Sequence, residues 1–190
     1  MNQWNDHREL MDHEVTWLTT KLTSYGYKLD GKRGIKSTIK FTELKSADYI
    51  ADNGNLTLIE FSDLLAQQDL INKKVARIQE SRKANLPLPK SELIKIFTNE
   101  IDTELAAKFK DTKFLIEEMQ KLNPCAKITN AYHGSNTPTQ YQILFAPPNK
   151  DTEKGSEIDN SRSFDQLANK VSQRLPNQWN VRVRVDCLPA

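Results

Sequence analysis

The stretch "DYIADNGNLTLIEFSDL", Asp48 to Leu64, decides how the rest of the chain is read. An aspartate heads one apolar run and a glutamate sits inside the next. Between them, Asn53-Gly54 marks a hairpin, because both residues tolerate positive φ. In the second run Leu56, Leu58, Glu60 and Ser62 share one strand parity, and Thr57, Ile59 and Phe61 share the other. A glutamate among apolar residues costs energy unless it is paired, exposed at a strand end, or holding a cation. Hairpin pairing is expected to bring Asp48 beside Glu60. Two neighbouring carboxylates repel one another and form a natural site for Mg²⁺ or Mn²⁺, which prefer oxygen ligands. Such an ion polarises a phosphodiester and lowers the pKa of an attacking water.

Working outward, Met11, Val15, Leu18, Leu22 and Tyr25 recur at spacings of three and four, which predicts an N-terminal helix stopped by Gly26. In "GIKSTIKF", Ile35, Ile39 and Phe41 alternate with Lys36, Thr38 and Lys40, which predicts a half-buried strand. After the hairpin, Leu64, Ile71, Val75 and Ile78 lie on one stripe of a helix that fades near Lys83, before the prolines of "NLPLP". "SELIKIFTNEIDTELAAKF" and "DTKFLIEEMQKL" predict two further helices, N-capped by Ser91 and Asp111.

The last third turns back to strand in "CAKITNAY" and "QYQILFA", with a structureless "PPNKDTEKGSEIDNS" and a short helix in "SFDQLANKVSQRL". The chain closes on "WNVRVRVDC", where Trp179, Val181, Val183, Val185 and Cys187 alternate with polar residues. The order predicts an α/β fold with a mixed sheet flanked by helices. It is read as a single domain over 1–190, with a core at 1–83, a helical insertion at 87–122 and C-terminal strands and helix at 123–190.

Composition agrees with a polar globular chain. Of its 190 residues 37% are hydrophobic and 27% charged, and mean hydropathy is -0.66. No apolar run approaches the ~20 residues of a membrane helix, and "MNQWNDHREL" lacks a signal-peptide layout. Cys125 and Cys187 form no CxxC, and a reduced, cytoplasmic pair is expected. A net charge of +2 does not announce a nucleic-acid partner without local clustering. Serine-hydrolase elbows, P-loops and dinucleotide fingerprints are all missing.

The helix, first strand, hairpin and following helix resemble the PD-(D/E)XK, or restriction-endonuclease-like, nuclease superfamily over residues 1–83. The resemblance implies metal binding by Asp48 and Glu60, joined by a first-helix glutamate, Glu14 or Glu9. It implies Mg²⁺ or Mn²⁺ as cofactor and duplex DNA as partner. The superfamily's lysine is replaced by Ser62, and the position before Asp48 is Ala47 rather than proline. That lysine orients the attacking water and offsets charge on the transition state, whereas serine brings no charge. Lys74, with Gln67 on the same edge of the helical stripe, is the candidate to replace it, and Lys36 is a weaker one.

Two functions are expected from different classes. One is a metal-dependent DNA endonuclease of restriction, mobile-element or phage-defence type. The other is a silent nuclease fold used as an inhibitor, immunity protein or assembly subunit, with the helical region 87–122 as a protein-partner surface. A plainer account pairs Glu60 with a lysine such as Lys40. Arg182 and Arg184 share the outer face of the last strand, where they either grip phosphates or keep an edge strand from aggregating. His7, His13 and His133 are read as surface or helix-start residues.

Overall fold

In a computed structural model the chain is described over residues 4–13, 15, 18–81, 89–123, 138–146 and 160–188. The expected strand "CAKITNAY", Cys125, Glu14, His133 and nearly all of the loop before the last helix lie outside these residues. Six strands form one mixed sheet in the order β1 (Arg8–Leu10), β2 (Tyr25–Lys28), β3 (Tyr49–Ala51), β4 (Thr57–Ser62), β5 (Thr139–Phe145) and β6 (Val181–Cys187). The first four strands are antiparallel, while β4, β5 and β6 are parallel. Parallel pairing needs a crossover. Between β4 and β5 it includes α2 (Leu64–Ser81) and α3 (Lys90–Leu122), and between β5 and β6 it includes α4 (Asn160–Gln173). A single turn of helix, α1 (Ile35–Thr38), follows β2.

One face of the sheet carries Tyr27, Leu29, Ile50, Leu58, Tyr141, Ile143 and Phe145 against Leu105, Phe109, Ile116 and Met119 of α3 and Val171 of α4. The other face carries a smaller cluster of Met11, Tyr49 and Ile59, flanked by Leu22 and Phe61. α2 packs on α3 through Ile71 and Val75. No helix among the described residues is long and apolar enough to cross a membrane.

Several expectations are corrected. The described residues between Met11 and Ser24 form no helix: Met11 donates its N–H to Ser24, and Tyr25 and Gly26 belong to β2. The periodicity came from a segment whose Met11 and Leu22 cover the sheet's second face. "GIKSTIKF" is a helical turn rather than a strand, since Ile35 and Ile39 are also four apart and so share a helical face. Gly34 is required there, because a Cβ would lie 2.3 Å from the Asp30 carbonyl oxygen. The two helices expected over 91–122 are one, thirty-three residues long with Pro89 at the N-cap, and Asp111 lies in its interior. The β3–β4 connection is wider than a two-residue turn. Only Gly54 takes positive φ (82°), and Asn53 accepts the Asn55 N–H through its side chain.

Candidate functional site

Register fixes the first pair. Tyr49 lies opposite Ile59 and Ile50 opposite Leu58, so the next pair outward is Asp48 with Glu60. Asp48 N–H donates to the Ile59 carbonyl, and Phe61 N–H donates to Asp48 Oδ2 at 2.8 Å. The approach to Asp48 is pinned by α3, where Asp111 Oδ2 accepts the Lys45 N–H and Thr112 Oγ1 accepts the Ala47 N–H at 2.7 Å. The same helix brings Lys108, whose Nζ donates to Glu60 Oε1 at 2.5 Å. One helix therefore sets both the carboxylate pair and its cation.

Glu60 is 2% exposed, and its second oxygen, Oε2, is buried without a hydrogen-bond partner. Burial pushes its pKa from the ordinary 4.5 to about 8, and the charges of Asp48 and Glu104 add to this while Lys108 opposes it. Burial works against the Lys108 ammonium, but the charge and hydrogen bond of Glu60, backed by Asp48 and Glu104, outweigh it and raise the lysine's pKa. Beneath the pair, fully buried Tyr141 donates to the Leu105 carbonyl, and burial, then Glu60, Asp48 and Glu104, hold its phenol well above the usual range. The region is largely buried, rich in acids and covered by α3.

Asp48 also faces a cleft of about 270 Å³, shared with Asp12, His13, Lys28, Asp30, Gly31, Tyr49 and Phe61. Asp30 there accepts from Lys36 Nζ at 2.6 Å. Burial tends to raise the Asp30 pKa, but the Lys36 hydrogen bond, the Gly31 N–H and the charges of Lys36 and Lys108 outweigh it, and the pKa is lowered.

The remaining candidates are placed as follows. Ser62 is buried, and its Oγ accepts from Gln67 Nε2 at 2.9 Å, so it leans toward α2. Lys74 lies 3.7 Å from Glu100 of α3, and the cation on Glu60 is Lys108, not Lys74 or Lys40. Lys36 is buried rather than outward-facing, held by Asp30 and the Leu44 carbonyl. Glu9 is on β1, where it accepts from the Tyr49 hydroxyl at 2.9 Å and pairs with Lys28. Arg182 and Arg184 lie exposed on edge strand β6, and Arg184 is 2.9 Å from Asp186 of the same strand. His13 is buried, with Nδ1 accepting the Val15 N–H and Nε2 meeting the Thr20 carbonyl at 2.9 Å. It is a loop pin.

Lys108 was not foreseen. Its signal lay in the buried stripe Leu105, Phe109, Thr112, Ile116 and Met119, because a lysine three residues after Leu105 borders that stripe and needs a buried acid.

Among the described residues no group of three or more His, Cys, Asp or Glu is arranged to hold a metal ion. Two carboxylates are nevertheless what Mg²⁺ commonly takes from a protein, with waters and substrate phosphates completing its shell. An unpartnered buried oxygen on Glu60, opposite a second carboxylate, fits a hard cation. Compared with known proteins, the chain matches no family model, no curated protein and no solved structure.

Proposed function

We propose that the chain is a metal-dependent DNA endonuclease with a restriction-endonuclease-like core, in which Asp48 and Glu60 hold Mg²⁺ or Mn²⁺ and Lys108 takes the part of the lysine replaced by Ser62. The observation that carries this reading is Glu60, buried at 2% exposure, held by Lys108 on one oxygen and unpartnered on the other. A carboxylate left in that state gains from a divalent cation what the fold itself does not supply. When bound, the ion contributes Lewis-acid polarisation of the phosphodiester and a more acidic water. The protein's own part is positional. Asp48 is fixed by the Phe61 N–H and by the α3 contacts at Lys45 and Ala47. Lys108 keeps an ammonium beside the carboxylates, where it orients a water and offsets negative charge on the five-coordinate phosphorus. Glu60 would hold the ion as its carboxylate, having released its proton to solvent.

The test is cleavage of plasmid and of single-stranded circular DNA by the purified protein in Mg²⁺ or Mn²⁺ with an EDTA control, beside calorimetric titration of the same ions. Cation-dependent cleavage supports the reading. A protein that neither binds the ions nor cuts DNA overturns it. One observation favours the second reading, a silent fold used for binding: α3 exposes Ile96, Phe114 and Leu122, at 47%, 43% and 59%. On that reading Lys108 is merely the countercharge of Glu60.

A further inference from the structure

The cleft beside Asp48 has a composition that the carboxylate pair does not account for. One wall is aromatic: Phe61 meets Tyr49 edge-on at 6.0 Å and His13 edge-on at 6.4 Å. The rings are held in place, since the Tyr49 hydroxyl donates to Glu9 and accepts from the Asp12 N–H, and both His13 nitrogens are engaged. The remaining lining is Asp12, Asp30 and Asp48 with one cation, Lys28, which itself pairs with Glu9 at 3.3 Å and lies over the Tyr49 ring. The three carboxylates outnumber the cations at the cleft, Lys28 and the Lys36 that holds Asp30, and so disfavour a phosphate; the part of a nucleotide this cleft takes is its neutral ring. Carboxylate oxygens accept from exocyclic amino groups, and Phe61 offers an apolar surface to a base face.

The cleft, about 270 Å³ in volume, holds one such ring and no base pair with its backbones. Because Asp48 belongs both to this cleft and to the proposed metal pair, its occupant adjoins the phosphate under attack. We infer that the cleft is a pocket for a single unstacked nucleobase next to the scissile phosphate, and that the substrate is therefore single-stranded or splayed DNA rather than the interior of a duplex. The inference rests on the nuclease reading for the phosphate, but the pocket can be tested apart from cleavage.

The experiment is binding of a labelled single strand, a blunt duplex and a duplex with a splayed end, in EDTA and in Mg²⁺, to wild type, Phe61→Leu and Phe61→Trp. The single strand and the splayed end should bind more tightly than the blunt duplex. Phe61→Leu should weaken the first two about tenfold, and Phe61→Trp should restore them. A wild-type measurement covers the case in which Phe61→Leu fails to fold: 2-aminopurine placed in the single strand should brighten on binding, as its base leaves its neighbours. Equal affinity for blunt duplex and single strand, no brightening, or a folded Phe61→Leu that binds as well as wild type overturns the pocket. Nicking that survives such a result leaves the nuclease reading standing and this inference false. Phe61-dependent strand binding without nicking does the reverse.

Discussion

Two buried carboxylates, Asp102 on α3 and Glu60 facing that helix from β4, have opposite surroundings. Asp102 is 1% exposed and, like Glu60, has oxygens without hydrogen bonds, but two cations stand near it, Lys170 of α4 at 4.0 Å and Arg174, just past the end of α4, at 3.6 Å. Glu60 has one ammonium in contact and two further acids, Asp48 and Glu104, acting on it. Around Asp102 positive charge is in excess; around Glu60 negative charge is. Burial alone therefore marks neither as functional. The sign of the surplus separates a carboxylate that meets an excess of cations from one left among an excess of acids.

The contrast breaks first, and most visibly, on paired substitutions. Glu60→Gln should cut cation-dependent nicking roughly a thousandfold or more, the several kcal/mol that Lewis-acid stabilisation supplies. Asp102→Asn should leave nicking at the wild-type rate and cost about 1 kcal/mol of stability, because its partners are half-exposed and leave no buried charge behind. Equal loss from both, measured on plasmid with melting curves alongside, would erase the distinction.

The two lysines make the next comparison. Lys108→Ala should lower the nicking rate about a hundredfold, or about 3 kcal/mol, as expected for one preorganised charge. Lys74→Ala, which removes an exposed partner of Glu100 away from the carboxylate pair, should leave the nicking rate unchanged. The reverse pattern would return the role to α2.

A smaller effect is expected in the pH dependence of stability. The folded pKa of Glu60, about 8, lies above its ordinary 4.5, so the protonated carboxyl favours the folded state. That contribution is complete below about 4.5 and is lost as pH rises through about 8. The melting temperature of metal-free protein should therefore fall between pH 6 and 9, and that fall should shrink in Glu60→Gln. Mg²⁺ competes with the proton, and should raise the melting temperature more on the alkaline side. A flat profile in calorimetry would place Glu60 in an ordinary ion pair. Least of all should come from Ser62→Lys, since Lys108 already supplies the charge: no gain in nicking over wild type is expected, and a large gain would show that Lys108 does not act as a catalytic lysine.

Much of the fold was legible where local pattern and tertiary role coincide. Val181, Val183 and Val185 alternate because β6 has one face against the core, and Ile71 and Val75 recur at helical spacing because α2 lies on α3. The N-terminal half misled for the converse reason. Ile35 and Ile39 satisfy a strand's period and a helix's together, and Met11, buried, and Leu22, partly buried, keep helical spacing although the described residues between them form no helix. At the site, Asp48 and Glu60 were legible from parity, being joined by a local hairpin. The cation was not. Lys108 meets Glu60 across 48 residues, and neither periodicity nor spacing carries information over that distance.

That separation also orders events in time. The β3–β4 hairpin closes over a short loop, a matter of about 1–10 μs in isolated hairpins. Lys108 arrives only when α3 docks, after a far longer loop has paid its closure entropy. Until then the hairpin carries Asp48 and Glu60 side by side in water, both ionised at neutral pH and without the ammonium that later holds one of them. Burying Glu60 is thus a gate in folding: the carboxylate must meet Lys108 or take up a proton before the α3 face can dry. Refolding should accordingly slow as the buffer is made alkaline, with the delay falling on the docking of α3 rather than on the hairpin.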